Sequence, residues 1–171
     1  MTETIGQIVG FIAMAIIVAS YQQKTHKKIL VFQMISGLLF TVHYVLLGAY
    51  TGAVMNLLGA FRSLIYSKRD KKWASSVMWP ILFSIGFLVS GILTWKNIYS
   101  LFPLIAMLIS SVVLWIEQPK INRIFSLPVS TGWLIYNIKE WSIPGIVTEI
   151  FILSSIIIGI IRLDIKKKNN K

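Results

Sequence analysis

The sequence predicts an all-α integral membrane protein of seven transmembrane helices, built as two parallel three-helix repeats joined by one linker helix. Three observations lead there. The first is composition: 56% of the 171 residues are hydrophobic, only 13% are charged and the mean hydropathy is +0.73, whereas a soluble domain runs at ~45–50% apolar and ~25% charged. The second is an alternation of basic residues from one loop to the next. The third is a weak self-similarity between the two halves of the chain.

Apolar runs bounded by breakers fall at 5–21, 29–47, 51–67, 74–95, 99–116, 122–138 and 142–163. At ~20 residues per crossing, the length leaves room for about eight spans and no soluble domain. The first run follows MTET, without a basic stretch before it or a small-residue cleavage site after it, and so is expected to stay as a helix. Polar QQKTHKK separates the first two runs, Gly48 to Gly52 the next, and KRDKK at 68–72 closes the third. The break at Lys96–Asn97 ends the fourth, EQPK at 117–120 the fifth and KEWS at 139–142 the sixth. The third and sixth runs are short and carry polar residues, so hydropathy alone would miss either one.

Charge placement supports the count. The first loop holds Lys24, Lys27 and Lys28, the third holds Lys68, Arg69, Lys71 and Lys72, and the fifth holds Lys120 and Arg123. The C-terminal end adds Arg162, Lys166, Lys167, Lys168 and Lys171, whereas the intervening loops carry only Lys96 and Lys139. Seven spans with the N-terminus outside and the C-terminus in the cytoplasm put the fourteen on one side and the two on the other, as the positive-inside rule requires. The net charge of +11 is then a topology signal, and nucleic acid is not needed to explain it. No cysteine is present, which excludes disulfides, thiolate metal sites and a cysteine nucleophile.

Shifting the chain by 93 residues aligns 29–63 with 122–156 without a gap. Gly52 then falls on Gly145, His43 on Tyr136 and Asn56 on Glu149. Residues 1–67 form the first repeat, 74–95 the linker, 99–163 the second repeat and 164–171 a basic cytoplasmic tail. Because the linker is one span, both triplets begin outside, and the repeats are parallel about an axis along the membrane normal.

The strings VHYVLLGAYTGAVMNLLGAFRSLIY (42–66), ISSVVLW (109–115) and WLIYNIKEWSIPGIVTEIFILSSIIIGIIR (133–162), with the basic first loop, resemble the YgjV family of bacterial inner-membrane proteins. That family is grouped with the MtN3-like superfamily of SWEET sugar carriers, PQ-loop proteins, PnuC vitamin transporters and KDEL receptors. The resemblance implies the three-plus-one-plus-three fold but no particular substrate. The chain departs from the PQ-loop pattern in having Tyr21-Gln22-Gln23-Lys24 where Pro-Gln would stand, and the reversed Gln118-Pro119 later.

Ionisable groups within spans are the leading functional candidates, since an Asp, Lys or Arg at mid-helix costs roughly 2.5–3.5 kcal/mol on insertion scales. They are His43, Arg62 and Glu149. Glu149 lies ~10 Å into its span by helical rise, within a hydrocarbon core ~30 Å thick. Asn56, Tyr136 and His43 are expected at similar depth. These residues, with Asn137, suggest a solute site in the outer half of the bilayer, Glu149 and His43 being able to exchange a proton. The alternative for each is interhelical packing, where a buried polar contact contributes ~0.6 kcal/mol, and for His43 simple exposure to interfacial water. Gln33 could line the inner half of the path and Ser130 could accompany a kink at Pro128. Arg62, six residues before Lys68, is expected to snorkel to the nearby headgroups, the alternative being a gate or an anion contact. The six tryptophans read as an aromatic belt.

No phosphate-binding loop, dinucleotide fingerprint, HExxH or nucleophile elbow occurs, so neither an enzyme nor a cofactor or metal is expected. The expected partners are the lipid bilayer and an unidentified small polar solute, with a homo-oligomer left open. A small-solute carrier is the preferred expectation, and a receptor or scaffold of the same architecture is the alternative. A carrier needs a polar cavity reaching the midplane; a scaffold would have its axis plugged by apolar side chains.

Overall fold

A computed structural model describes residues 2–20, 22–116 and 118–161. The basic tail at 164–171, Arg162, Tyr21 and Glu117 lie outside the described residues. The chain forms α1 (Thr2–Ser20), α2 (His26–Leu46), α3 (Tyr50–Tyr66), α4 (Met78–Leu93), α5 (Leu101–Ile116), α6 (Pro119–Lys139) and α7 (Ile143–Gly159), with a 3-10 turn at Ile98–Ser100 before α5. Every expected apolar run contains a helix. The fourth starts later than its hydropathy suggests, because Ser76 accepts from the Met78 amide and Pro80, which has no N–H to donate, belongs in a first helical turn. By length and composition α1, α2 and Ile98–Ile116 are long and apolar enough to cross a membrane, and α4 and α7 are shorter apolar helices. The two helices outside both groups, α3 and α6, are the polar ones.

Burial is inverted relative to a water-soluble bundle. Ile5, Ile8 and Phe11 on α1, Leu82, Ile85 and Leu88 on α4, and Ile150, Phe151 and Ile157 on α7 all face outward. Buried beside an apolar core that includes Phe40, Met55 and Phe87 are Ser36, His43, Arg62, Ser63, Ser111, Ser130 and Asn137. Such a surface suits hydrocarbon, in which polar atoms must be satisfied inside the protein.

α2 packs between α1 and α3, and α6 between α5 and α7; α1 also meets α7, α3 meets α5, and α4 lies against α3 and α5. At one end of the bundle are the short α2–α3 and α6–α7 turns, where Lys96 pairs with Glu140 at 3.5 Å and Gln7 Nε2 donates to the Trp141 carbonyl. At the other end are the basic loops, where the Arg69 guanidinium lies over the Trp115 ring, 4.1 Å from its centroid.

The two short turns share one backbone geometry. Ala49 N donates to Tyr44 O at 2.9 Å, and Ser142 N to Asn137 O at 3.0 Å; Ala53 N donates to Ala49 O, and Ile146 N to Ser142 O. Each bond in the second turn joins residues 93 positions beyond those in the first. The left-handed residue recurs at the same spacing, as Gly48 (φ 69°) and as Trp141 (φ 53°). Glycine takes this conformation freely; at position 141 a bulky residue is held in it by the surrounding bonds.

α1 closes against α2 and α7 at Gly10, where a Cβ would collide with Pro144 and come within 2.7 Å of His43 Nδ1. A methyl at Gly86 would meet only Leu58, at 4.0 Å. Gly10→Ala is therefore expected to destabilise the bundle by about 1–3 kcal/mol through overpacking, whereas Gly86→Ala stays near wild type, as read by thermal unfolding of the purified protein in detergent.

Candidate functional site

A cavity of about 350 Å³ lies among α1, α2, α3, α5, α6 and α7, at the small end of the ~300–1,000 Å³ range of small-molecule sites. Nine pairs of its lining residues stand 93 positions apart, among them Gln33 and Ser126, Phe40 and Trp133, Tyr44 and Asn137, and Asn56 and Glu149. The cavity is thus walled by equivalent positions from the two halves, with different chemistry on each side. Its lining runs to His26 and Asn122 at the basic end.

Toward the turn end the lining is sealed by contacts between the halves. Tyr44 Oη donates to Asn137 Oδ1 at 2.6 Å, both residues being buried. Around that bond Tyr44 stacks on Phe40 and on Trp133, with ring centroids 5.9 and 6.0 Å apart. Trp133 therefore does not belong to the aromatic belt expected of the tryptophans: it is nearly buried and lines the cavity, while Trp73, Trp95 and Trp141 stay exposed near helix ends.

Of the candidates taken from the sequence, Gln33, Asn56, Ser130, Asn137 and Glu149 line this cavity, and His43 and Tyr136 do not. The last two sit beyond the Tyr44–Asn137 bond, toward the turn end. His43 Nδ1 bonds the Gly6 carbonyl at 2.7 Å and Nε2 bonds the Ser142 hydroxyl at 2.7 Å. A carbonyl can only accept, so Nδ1 carries the proton and, in the neutral ring, Nε2 accepts from Ser142. Ser142 Oγ in turn accepts from the Gly145 amide and caps α7. α3 has no side-chain cap of its own; the Tyr136 hydroxyl accepts from the Gly52 amide at 2.9 Å instead. Each of these matched residues thus reaches across to the turn of the other half.

Glu149 faces the cavity with Oε2 buried and unpartnered among the described residues, Ser130 being its hydrogen-bonding neighbour. Asn56 donates to the Gly52 carbonyl at 3.0 Å, which leaves its amide oxygen for other use. The kink residue Pro128 is exposed, and α6 continues through it with Thr131 donating to the Leu127 carbonyl. Asn122 Oδ1 is a further buried, unpartnered cavity atom that the sequence did not single out.

Arg62 does not snorkel. It is 5% exposed and lines the cavity, with Nη1 donating to Ser110 Oγ at 2.7 Å and to Ser111 Oγ at 3.1 Å. Helical side chains incline toward the N-terminus of their helix, which for α3 is away from the basic loops, so Arg62 is aimed inward. Ser110 and Ser111 occupy the right depth on α5 to receive it, a match between distant segments that no local pattern carries.

The family model described as Imp-YgjV, bacterial inner membrane protein, matches residues 4–167. The chain belongs to this family. It is accordingly a protein of the bacterial inner membrane, and its apolar exterior fits that placement. No curated protein and no solved structure matches it.

Removing the Tyr136 hydroxyl leaves the Gly52 amide uncapped while the cavity wall stays intact. Tyr136→Phe is expected to lower stability by ~1 kcal/mol, the usual value of a helix cap, with any ligand binding in the cavity unchanged. Thermal unfolding and ligand titration of the same preparation check both halves of that expectation.

Proposed function

We propose that this YgjV-family protein is a carrier for a small polar solute, working by rocking of one helix triplet against the other, with Glu149 exchanging a proton. The observation that carries the reading is the cavity: its largely apolar wall holds a few polar groups, including buried atoms of Glu149, Arg62 and Asn122 that no described residue satisfies. A scaffold has no use for such a space, since apolar packing would be more stable than unpaired polar atoms in hydrocarbon. Backbone bonds recurring at 93 residues support two matched triplets, and the contacts of α4 suit a linker.

All seven helices are taken to cross the bilayer, with the N-terminus outside. The basic end then faces the cytoplasm, and the cavity belongs to that side, closed from the exterior by the Tyr44–Asn137 bond and the aromatic rings around it. Rocking would part this bond and close the side lined by His26 and Asn122. Glu149 is the group proposed to take up and release the proton because its oxygen faces the cavity. His43, with both ring nitrogens engaged, is proposed to hold the turn from which α7 starts.

With the carrier reconstituted in liposomes and a solute identified by thermal-shift screening, Glu149→Gln is expected to abolish the stimulation of uptake by an imposed pH gradient. Binding should stay within a few-fold of wild type. Uptake and pH dependence equal to wild type would remove the coupling role. The orientation is checked separately in this cysteine-free chain. Trp95→Cys should react with a membrane-impermeant maleimide in spheroplasts, whereas Ser75→Cys should react only after permeabilisation.

A further inference from the structure

We infer that the solute is a small organic anion whose carboxylate or phosphate seats on the Nε and Nη2 edge of Arg62, with its hydroxyl or amine end directed toward Glu149. This rests on the reading of the cavity as the solute site and narrows the chemistry of what it takes.

The argument starts from how Arg62 is held. All its hydrogen bonds leave from Nη1, to the Ser110 and Ser111 hydroxyls and, at 3.4 Å, to the Met107 carbonyl. Ser110 and Ser111 in turn donate to that carbonyl, at 3.1 and 2.9 Å, so their oxygens are oriented to accept from the guanidinium. Phe87 of α4 lies beside it, with its ring centroid 5.6 Å from the guanidinium carbon. The serines, the carbonyl and the ring fix the group without neutralising it. No carboxylate among the described residues ion-pairs with it.

The opposite edge is left over. Nε is buried without a hydrogen bond, and Nη2 makes none among the described residues. These two N–H directions form the planar fork that meets a carboxylate or a phosphate with two parallel bonds. A fixed, buried cation lining a cavity with that edge unsatisfied is therefore matched by an anionic ligand, and a neutral solute would leave the charge uncompensated.

The other end of the ligand follows from spacing. Asn56, the α3 position matching Glu149, is six residues from Arg62, or about 9 Å of helix. Because the Arg62 side chain inclines toward the N-terminus of α3 and covers part of that interval, a ligand carrying an acidic group at one end and a donor a few bonds away bridges the rest. The unpartnered Glu149 oxygen accepts from the donor, and the carbonyl of Asn56 stands at the same level.

The test is a binding measurement that does not depend on transport. The purified protein in neutral detergent is titrated with sodium glycolate, inorganic phosphate or glucose at fixed ionic strength, and thermal unfolding is followed by tryptophan fluorescence. A saturable rise in Tm is expected with at least one anion and not with glucose. Arg62→Gln should weaken it at least tenfold, with Arg62→Lys in between. Ser110→Ala, which removes one Nη1 acceptor but keeps the cation, serves if Arg62→Gln does not fold, and should weaken it several-fold. Response to glycolate alone assigns a carboxylate solute and response to phosphate alone a phosphate ester. A shift equal in wild type and Arg62→Gln would mean that anions bind the basic loops, and it overturns the inference. So does the absence of a saturable shift with either anion. A glucose-only response overturns it too while leaving the carrier reading in place. Arg62-dependent anion binding without flux in liposomes would instead leave this site standing and remove the carrier.

Discussion

Within a bilayer, polar atoms that are not satisfied by the protein are not satisfied at all, and the arrangement of this bundle follows from that constraint. Its helices present isoleucine, leucine, valine and phenylalanine outward, so their histidine, tyrosine, asparagine and serine groups turn inward and find partners on other helices. The Tyr44–Asn137 bond lies at the centre of this network, between positions 93 residues apart. Both residues line the cavity. Around it, His43 supports the cap of α7 and Tyr136 caps α3. The caps that hold each half are thus supplied by the other half, which ties the integrity of the turns to the closure of the seam.

That reciprocity gives the site its mechanical meaning. The bonds that support the starts of α3 and α7 join the same two parts of the chain as the Tyr44–Asn137 bond, so the turn end is held by several contacts at once. The cavity beyond it is assembled from matched positions but not from matched residues. Asn56 is matched by Glu149 and Gln33 by Ser126. Positions equivalent by the 93-residue register thereby present different chemistry to one cavity.

Much of this was legible in the sequence because it rests on periodicities and distances along the chain. The seven helices follow from apolar runs and breakers, and the register of 93 residues was readable from Gly52 and Gly145. Five of the seven candidate residues fall on one cavity for the same reason: a polar residue inside an apolar run has to face inward. His43 and Tyr136 obey that rule as well, yet they serve turns and lie off the cavity wall, because depth along a helix does not say which side of a central bond a side chain reaches. Trp133 was unreadable as a cavity residue, since tryptophan near a segment end is normally interfacial. The start of α4 was misplaced because the expected run was begun at Ala74, whereas the Ser76 bond to the Met78 amide and Pro80 in the first turn go with a helix start at Met78.

Arg62 shows most clearly what a one-dimensional reading omits. Its nearness to the basic loop suggested a side chain reaching for headgroups, but the inclination of helical side chains opposes that direction on α3. The position 93 residues later, Ser155, is exposed on α7. The difference comes from α4, which lies against α3 and α5 and sets Phe87 beside the guanidinium, while no eighth helix covers α7 among the described residues. The helix that joins the two halves therefore also breaks their equivalence. By covering one face of α3 it turns an otherwise exposed position into a buried one, and the Arg62 charge becomes part of the interior, met there by the Ser110 and Ser111 hydroxyls.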